Sequence, residues 1–160
     1  MRYLKIQGYE MNERVKAIVK STAPLLKNKG EEITTVMYEN LFTKYPEAKV
    51  LFKDATPDQY VKLANMVYAY AANIDKLENL QKGIEKVAQI HVDTKILPEH
   101  YPWVGESLLI AIKEVLGDAA TDEVMDAWAQ AYGFLSTVFI DKEQELYAKA
   151  KASDDTPAHT

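Results

Sequence analysis

Lys86-Val87-Ala88-Gln89-Ile90-His91-Val92 sets a histidine among apolar residues at helical spacing, with Tyr101 following further along the chain. Apolar side chains recurring at three- and four-residue steps mark the buried face of an amphipathic helix. A histidine on such a face is ordinarily a core residue whose ring nitrogens find hydrogen-bond partners. The alternative is a ring nitrogen kept for a metal ion. The rest of the chain has to decide between the two.

Working outward, helical periodicity continues in both directions, and no segment sustains the alternation of a half-buried strand. The first helix is expected from Asn12, a good N-cap, to a stop at Asn28-Lys29-Gly30, with Pro24 loosening its middle. A second helix from about Glu31 carries Met37, Tyr38, Leu41, Phe42 and Tyr45 on one stripe, and Pro46 limits it. Pro46 to Phe52 reads as a short turn or helix. Thr56 and Pro57 then read as N-cap and first residue of a third helix bearing Gln59, Leu63, Met66, Val67, Tyr70 and Ile74. The histidine helix spans about Leu77 to Thr94. Pro98 opens the next one, which stops at Leu116-Gly117, and Thr121-Asp122-Glu123-Val124 starts the last, running to about Lys149. Six or seven helices with short connections make an all-α domain over 11–150, with an N-terminal extension at 1–10 and a small polar tail at 151–160. Met11 is an alternative start.

Composition narrows the function classes. The 160 residues suffice for one domain with a real core, and 48% of them are hydrophobic. With 24 acidic and 19 basic residues the formal net charge is -5, and no basic stripe points to nucleic acid. Cysteine is absent, which excludes disulfides, thiolate metal sites, iron–sulfur clusters and thioether-linked haem. No signal peptide or membrane-length apolar run is legible, so a cytoplasmic protein without membrane or nucleic-acid partners is expected. Three histidines and scattered carboxylates show no zinc spacing, and neither a Gly-x-Ser-x-Gly elbow nor a phosphate-binding glycine loop occurs.

Other polar residues also fall on apolar faces. Glu143 lies on the stripe of the last helix marked by Tyr132, Leu135, Phe139 and Leu146; it is either a buried carboxylate needing partners or a glutamate at the stripe's edge. Tyr38 and Gln59 raise the same question, since a buried tyrosine needs only one partner and a first-turn glutamine is ordinarily solvated. Phe52 reads first as core. Taken together they admit a sharper reading. Imidazole is a good iron ligand, and a carboxylate (Glu143) with a phenol (Tyr101) can fix its second nitrogen. On the opposite side a phenol (Tyr38) and an amide (Gln59) can donate to a bound diatomic molecule, under an apolar roof from Leu63. That is the chemistry of a haem oxygen site.

The chain from about Asn12 to Ala150 resembles the globin domain of bacterial flavohaemoglobins and the single-domain, Vitreoscilla-haemoglobin-like globins. The strongest stretch is His91, eight residues, then His100-Tyr101-Pro102-Trp103-Val104-Gly105-Glu106-Ser107-Leu108-Leu109. It continues through Asp126-Ala127-Trp128-Ala129-Gln130-Ala131-Tyr132-Gly133 and Phe139-Ile140-Asp141-Lys142-Glu143.

The resemblance implies the globin fold and non-covalent b-type haem. It makes His91 the proximal ligand, Tyr101 and Glu143 its hydrogen-bonding partners, and Tyr38, Gln59 and Leu63 the distal set. Phe52 packs on the haem, and Tyr132 falls among the cofactor-binding positions. Reversible oxygen binding is implied, with dioxygenation of nitric oxide to nitrate as the activity. The competing class is a protein that stores, delivers or senses oxygen without turnover. Three departures stand out. The segment between Phe52 and Gln59 is a few residues shorter than in relatives, Ile90 replaces a common lysine, and no dinucleotide-binding reductase region is present. A separate reductase is therefore expected, and the resemblance leaves room for a homodimer.

Overall fold

The computed structural model describes residues 11–155, and the expectations placed on 1–10 and on 156–160 lie outside the described residues. Six α-helices occur among the described residues: α1 (Glu13–Ser21), α2 (Ala23–Lys44), α3 (Gln59–Ala72), α4 (Gln81–Asp93), α5 (Tyr101–Leu116) and α6 (Asp122–Asp155). Tighter 3₁₀ segments at Pro46–Phe52, Leu77–Leu80, Pro98–His100 and Gly117–Ala119 join them. Helix α2 packs on α3 and α5, while α6 packs on α1, α4 and α5. The expected all-α architecture is present.

Two helix boundaries differ from expectation. The first break falls at Thr22, not at Gly30. Asn12 does cap α1, accepting from the Val15 N–H at 2.8 Å. Pro24 then occupies the first turn of α2, where its missing N–H costs nothing. The buried Thr22 hydroxyl donates to the Val19 carbonyl at 2.6 Å and accepts from Trp128 Nε1 at 3.1 Å, so the break serves the core. Helix α2 passes through Gly30 because its buried stripe continues unbroken as Leu26, Gly30, Ile33, Met37 and Leu41. A Cβ on Gly30 would stand 3.3 Å from the Ala64 Cβ. This glycine brings two helices close together; it ends neither.

The second difference lies at α3. Thr56 and Pro57 do not open it; the helix begins at Gln59, and Asp58 precedes it without a side-chain cap. The Thr56 hydroxyl donates to the Asp58 carboxylate and accepts from Lys62 Nζ at 3.0 Å, so it serves side chains and not the helix N–H groups. The remaining boundaries follow the sequence closely. Thr121 accepts from the Val124 N–H at 3.2 Å at the start of α6, and that helix runs to Asp155, past the expected Lys149.

Candidate functional site

The surroundings of His91 are built by α4, α5 and α6. Ala88 and Val92 are the buried residues of α4, and His91 sits beside them with its side chain 24% exposed. Its main-chain position is pinned at the helix end. The Ile96 N–H bonds the His91 carbonyl at 2.9 Å and the Lys95 N–H bonds the Val92 carbonyl at 3.1 Å. This is the pairing of a Schellman motif, with Lys95 at φ 67, a left-handed conformation that glycine fills more cheaply.

The ring is pinned as firmly. Glu143 is 3% exposed, which settles its placement at the centre of the α6 stripe. Its Oε2 lies 2.7 Å from His91 Nδ1, and the Tyr101 hydroxyl donates to both its oxygens at 2.8 Å. Nδ1 also lies 3.0 Å from the Tyr101 oxygen. The phenol has one proton and gives it to the carboxylate, so the imidazole proton must sit on Nδ1 and point at Glu143. Nε2 therefore carries a lone pair, and it has no hydrogen bond among the described residues. Burial, then the adjacent Glu143 charge, push the Tyr101 phenol far above the usual tyrosine range, so it stays a donor.

Tyr132 joins this side indirectly. Its hydroxyl donates to the Tyr101 carbonyl at 2.7 Å, and its ring occupies the space a Cβ on Gly105 would need, 2.5 Å from Cε2. It therefore sets where α5 begins and with it where the Tyr101 side chain stands. Phe139, which carried no assigned role, packs against the histidine ring with centroids 5.5 Å apart.

A second group of site candidates comes from α2, the Pro46–Phe52 segment and α3. Tyr38, Phe42 and Phe52 form a ring cluster, with centroids 5.7 Å apart for Tyr38 and Phe42, 5.3 Å for Tyr38 and Phe52, and 5.6 Å for Phe42 and Phe52. Phe42 was overlooked as a site residue, although its one-turn spacing from Tyr38 put both on one face. Burial pushes the Tyr38 phenol up to about 12, an effect the Gln59 side chain partly offsets. Despite the short connection after Phe52, Gln59 lies near enough to oppose the effect of burial on the phenol. Leu63 follows one turn along α3, half-buried against the main core. The crossing beneath is close, since the Thr34 hydroxyl donates to the Tyr60 carbonyl at 2.8 Å, one turn from the Gly30 contact.

The residues fit a planar prosthetic group with a single protein ligand. Among the described residues no three His, Cys, Asp or Glu side chains converge to hold a bare ion. One imidazole with its second nitrogen fixed suits a metal that brings its other ligands with it. Tyr38, Phe42, Phe52 and Leu63 are large and only half-buried. Such side chains stay uncovered in a packed domain where a flat apolar group is to cover them. Among the described residues no helix is long and apolar enough to cross a membrane.

An all-α protein with a lone, carboxylate-held imidazole and a separate half-buried aromatic cluster is the class these features define. The Globin family model matches residues 35–139, and the chain belongs to the globin family. It is 48% identical over 139 residues to an uncharacterised globin-like protein of Aquifex aeolicus, covering 87% of this chain and 99% of that one. It is 46% identical over 144 residues to a flavohaemoprotein of Oceanobacillus iheyensis, covering 88% of this chain and 36% of that protein. The chain thus spans little more than a third of the flavohaemoproteins it matches. Among solved structures, it is similar to an engineered carbene transferase from Rhodothermus marinus, provisionally described as a nitric oxide dioxygenase. That match has a TM-score of 0.85 and 36% identity, covering 89% of this chain and 99% of that one. A bacterial globin from Campylobacter jejuni gives a TM-score of 0.79 and 36% identity, covering 86% and 99%. Membership of this family implies a haem cofactor.

Proposed function

We propose that this chain is a b-type haem globin that binds dioxygen and converts nitric oxide to nitrate, with electrons from a separate reductase. The observation that carries the reading is the His91–Glu143–Tyr101 network set against Tyr38 and Gln59. Haem, when bound, supplies the iron that takes up oxygen and the one-electron change the conversion needs.

The chain's own residues do the rest. His91 Nε2 is the atom that would hold the iron. Glu143 draws on the Nδ1 proton and gives the ring partial imidazolate character, which makes Nε2 the stronger electron donor. Tyr101 donates to the same carboxylate and keeps it oriented toward Nδ1. Tyr38, a phenol that stays protonated well above neutral pH, offers its O–H to a partly anionic oxygen ligand. Gln59 assists that phenol from the first turn of α3, while Phe52 and Leu63 keep water from the ligand. A hydrogen bond that strengthens as negative charge develops favours chemistry over mere carriage. Relatives described as flavohaemoproteins and as a nitric oxide dioxygenase support the same reading.

Stopped-flow mixing of the oxygen-loaded protein with nitric oxide tests it. One nitrate per haem, formed as fast as the oxygen-loaded spectrum disappears, is the expected result. Slow oxidation without stoichiometric nitrate returns the protein to oxygen storage, delivery or sensing.

A further inference from the structure

Glu143 has a second face. A cavity of about 250 Å³, partly open to solvent, lies between the turn after α4 and the stretch of α6 from Ile140 to Tyr147. Ile96, Leu97 and Ile140 line it together with the buried Glu143, Gln144 and Tyr147.

Its hydrogen-bonding character is one-sided. The Ile96 N–H is committed to the His91 carbonyl at 2.9 Å and the Leu97 N–H to His100 Nδ1 at 2.9 Å, while Pro98 has no N–H. The Tyr147 hydroxyl gives its proton to the Ile96 carbonyl at 2.7 Å. Only the exposed Gln144 amide is left to donate. Glu143 accepts from two donors, and a carboxylate has about four acceptor positions, so capacity remains on it. Apolar walls, one buried carboxylate and a single free donor call for an occupant that is mostly apolar and brings its own N–H. The volume suits something small, since a cavity of about 150 Å³ already admits benzene.

We infer that this cavity is a binding site for a small apolar molecule bearing one ammonium group, seated with that group toward Glu143. The site belongs to α6 and the turn after α4, so it stands whether or not the nitric oxide chemistry does. Benzylamine is a direct probe. It is titrated into the full-length, haem-loaded chain in its diamagnetic carbonmonoxy form, followed by ¹H–¹⁵N NMR at neutral pH. Benzyl alcohol, toluene and benzoate serve as comparators.

Saturable shifts centred on the Leu97, Gln144 and Tyr147 amides are expected. Benzylamine should bind about fivefold or more tightly than benzyl alcohol, the ratio separating a charged from a neutral hydrogen bond. Toluene should be weaker again and benzoate should not bind. Gln144→Trp, at an exposed position beside the opening, should weaken benzylamine at least tenfold, and Leu97→Ser should weaken it by removing a wall. Equal binding of toluene or benzoate, shifts centred elsewhere, no saturation, or full affinity in both variants would overturn the assignment.

Discussion

The Tyr132 hydroxyl donates to the Tyr101 main-chain carbonyl at 2.7 Å, so α6 holds both Glu143 and the residue that Glu143 engages. Two groups of one rigid helix thereby position a phenol contributed by another. Precision at His91 comes from this doubling. Each contact alone is an ordinary hydrogen bond.

Tyr132→Phe keeps the ring over Gly105 and removes only the hydroxyl. Its expected cost is about 1 kcal/mol, read as a fall in thermal midpoint of roughly 2–4 °C for a domain of this size. Gly105→Ala should cost more, about 1–3 kcal/mol, because the rigid tyrosine ring cannot give way. Calorimetry on the two variants checks the order. A milder Gly105→Ala would mean that the ring has room to move.

Glu143→Gln tests the electronic role of the carboxylate. The amide is nearly the same size but carries no charge, so Nδ1 loses its anionic acceptor while haem stays bound. Resonance Raman of the ferrous protein should show a lower iron–histidine stretching frequency. An unmoved band would relegate Glu143 to packing. His91→Ala should remove the band together with haem binding.

Tyr38→Phe should raise the oxygen dissociation rate roughly tenfold, the loss of one hydrogen bond of about 1.5 kcal/mol. The wild-type rate should also be flat from about pH 6 to pH 9, because burial holds this phenol protonated to about 12. A pKa raised above the ordinary 10 contributes stability that is complete below pH 10 and is lost as pH climbs toward 12. Flash photolysis across pH checks the flat profile, and a rate that changes steeply near neutrality would remove Tyr38 from the donor role.

Lys95→Gly should stabilise the protein. The left-handed conformation strains a lysine by about 1–2 kcal/mol, and glycine's greater freedom in the unfolded chain returns part of that. A net gain of about 0.5–1 kcal/mol is expected in denaturant titrations. A loss would show that the lysine side chain contributes more than its backbone costs.

Much of this was legible in the sequence because a long helix repeats its signal. The stripes of α4 and α6 are read many times over, so their faces emerged along with their approximate ends. Gly30 was misread because a glycine that stops a helix and one that admits a neighbouring helix look alike until the neighbour is known. Thr22 left no local mark, since its hydroxyl serves Trp128, far away along the chain. Glu143 was ambiguous for a related reason: periodicity finds a stripe but cannot tell its centre from its margin. Long-range partners were the illegible part. The stacking of Tyr45 on Trp103, with centroids 4.8 Å apart, and the Tyr45 hydroxyl bond to Glu106 at 2.9 Å join elements that no local pattern relates.

The contact of Gly30 with Ala64 and the Thr34 bond to the Tyr60 carbonyl lie on the same helix pair that carries Tyr38 and Gln59. The height of the proposed ligand pocket is thereby set by a glycine against an alanine and a hydroxyl against a carbonyl. Side chains such as Gln59 and Leu63 can then be exchanged to retune what the ceiling says to a ligand, while its height stays the same.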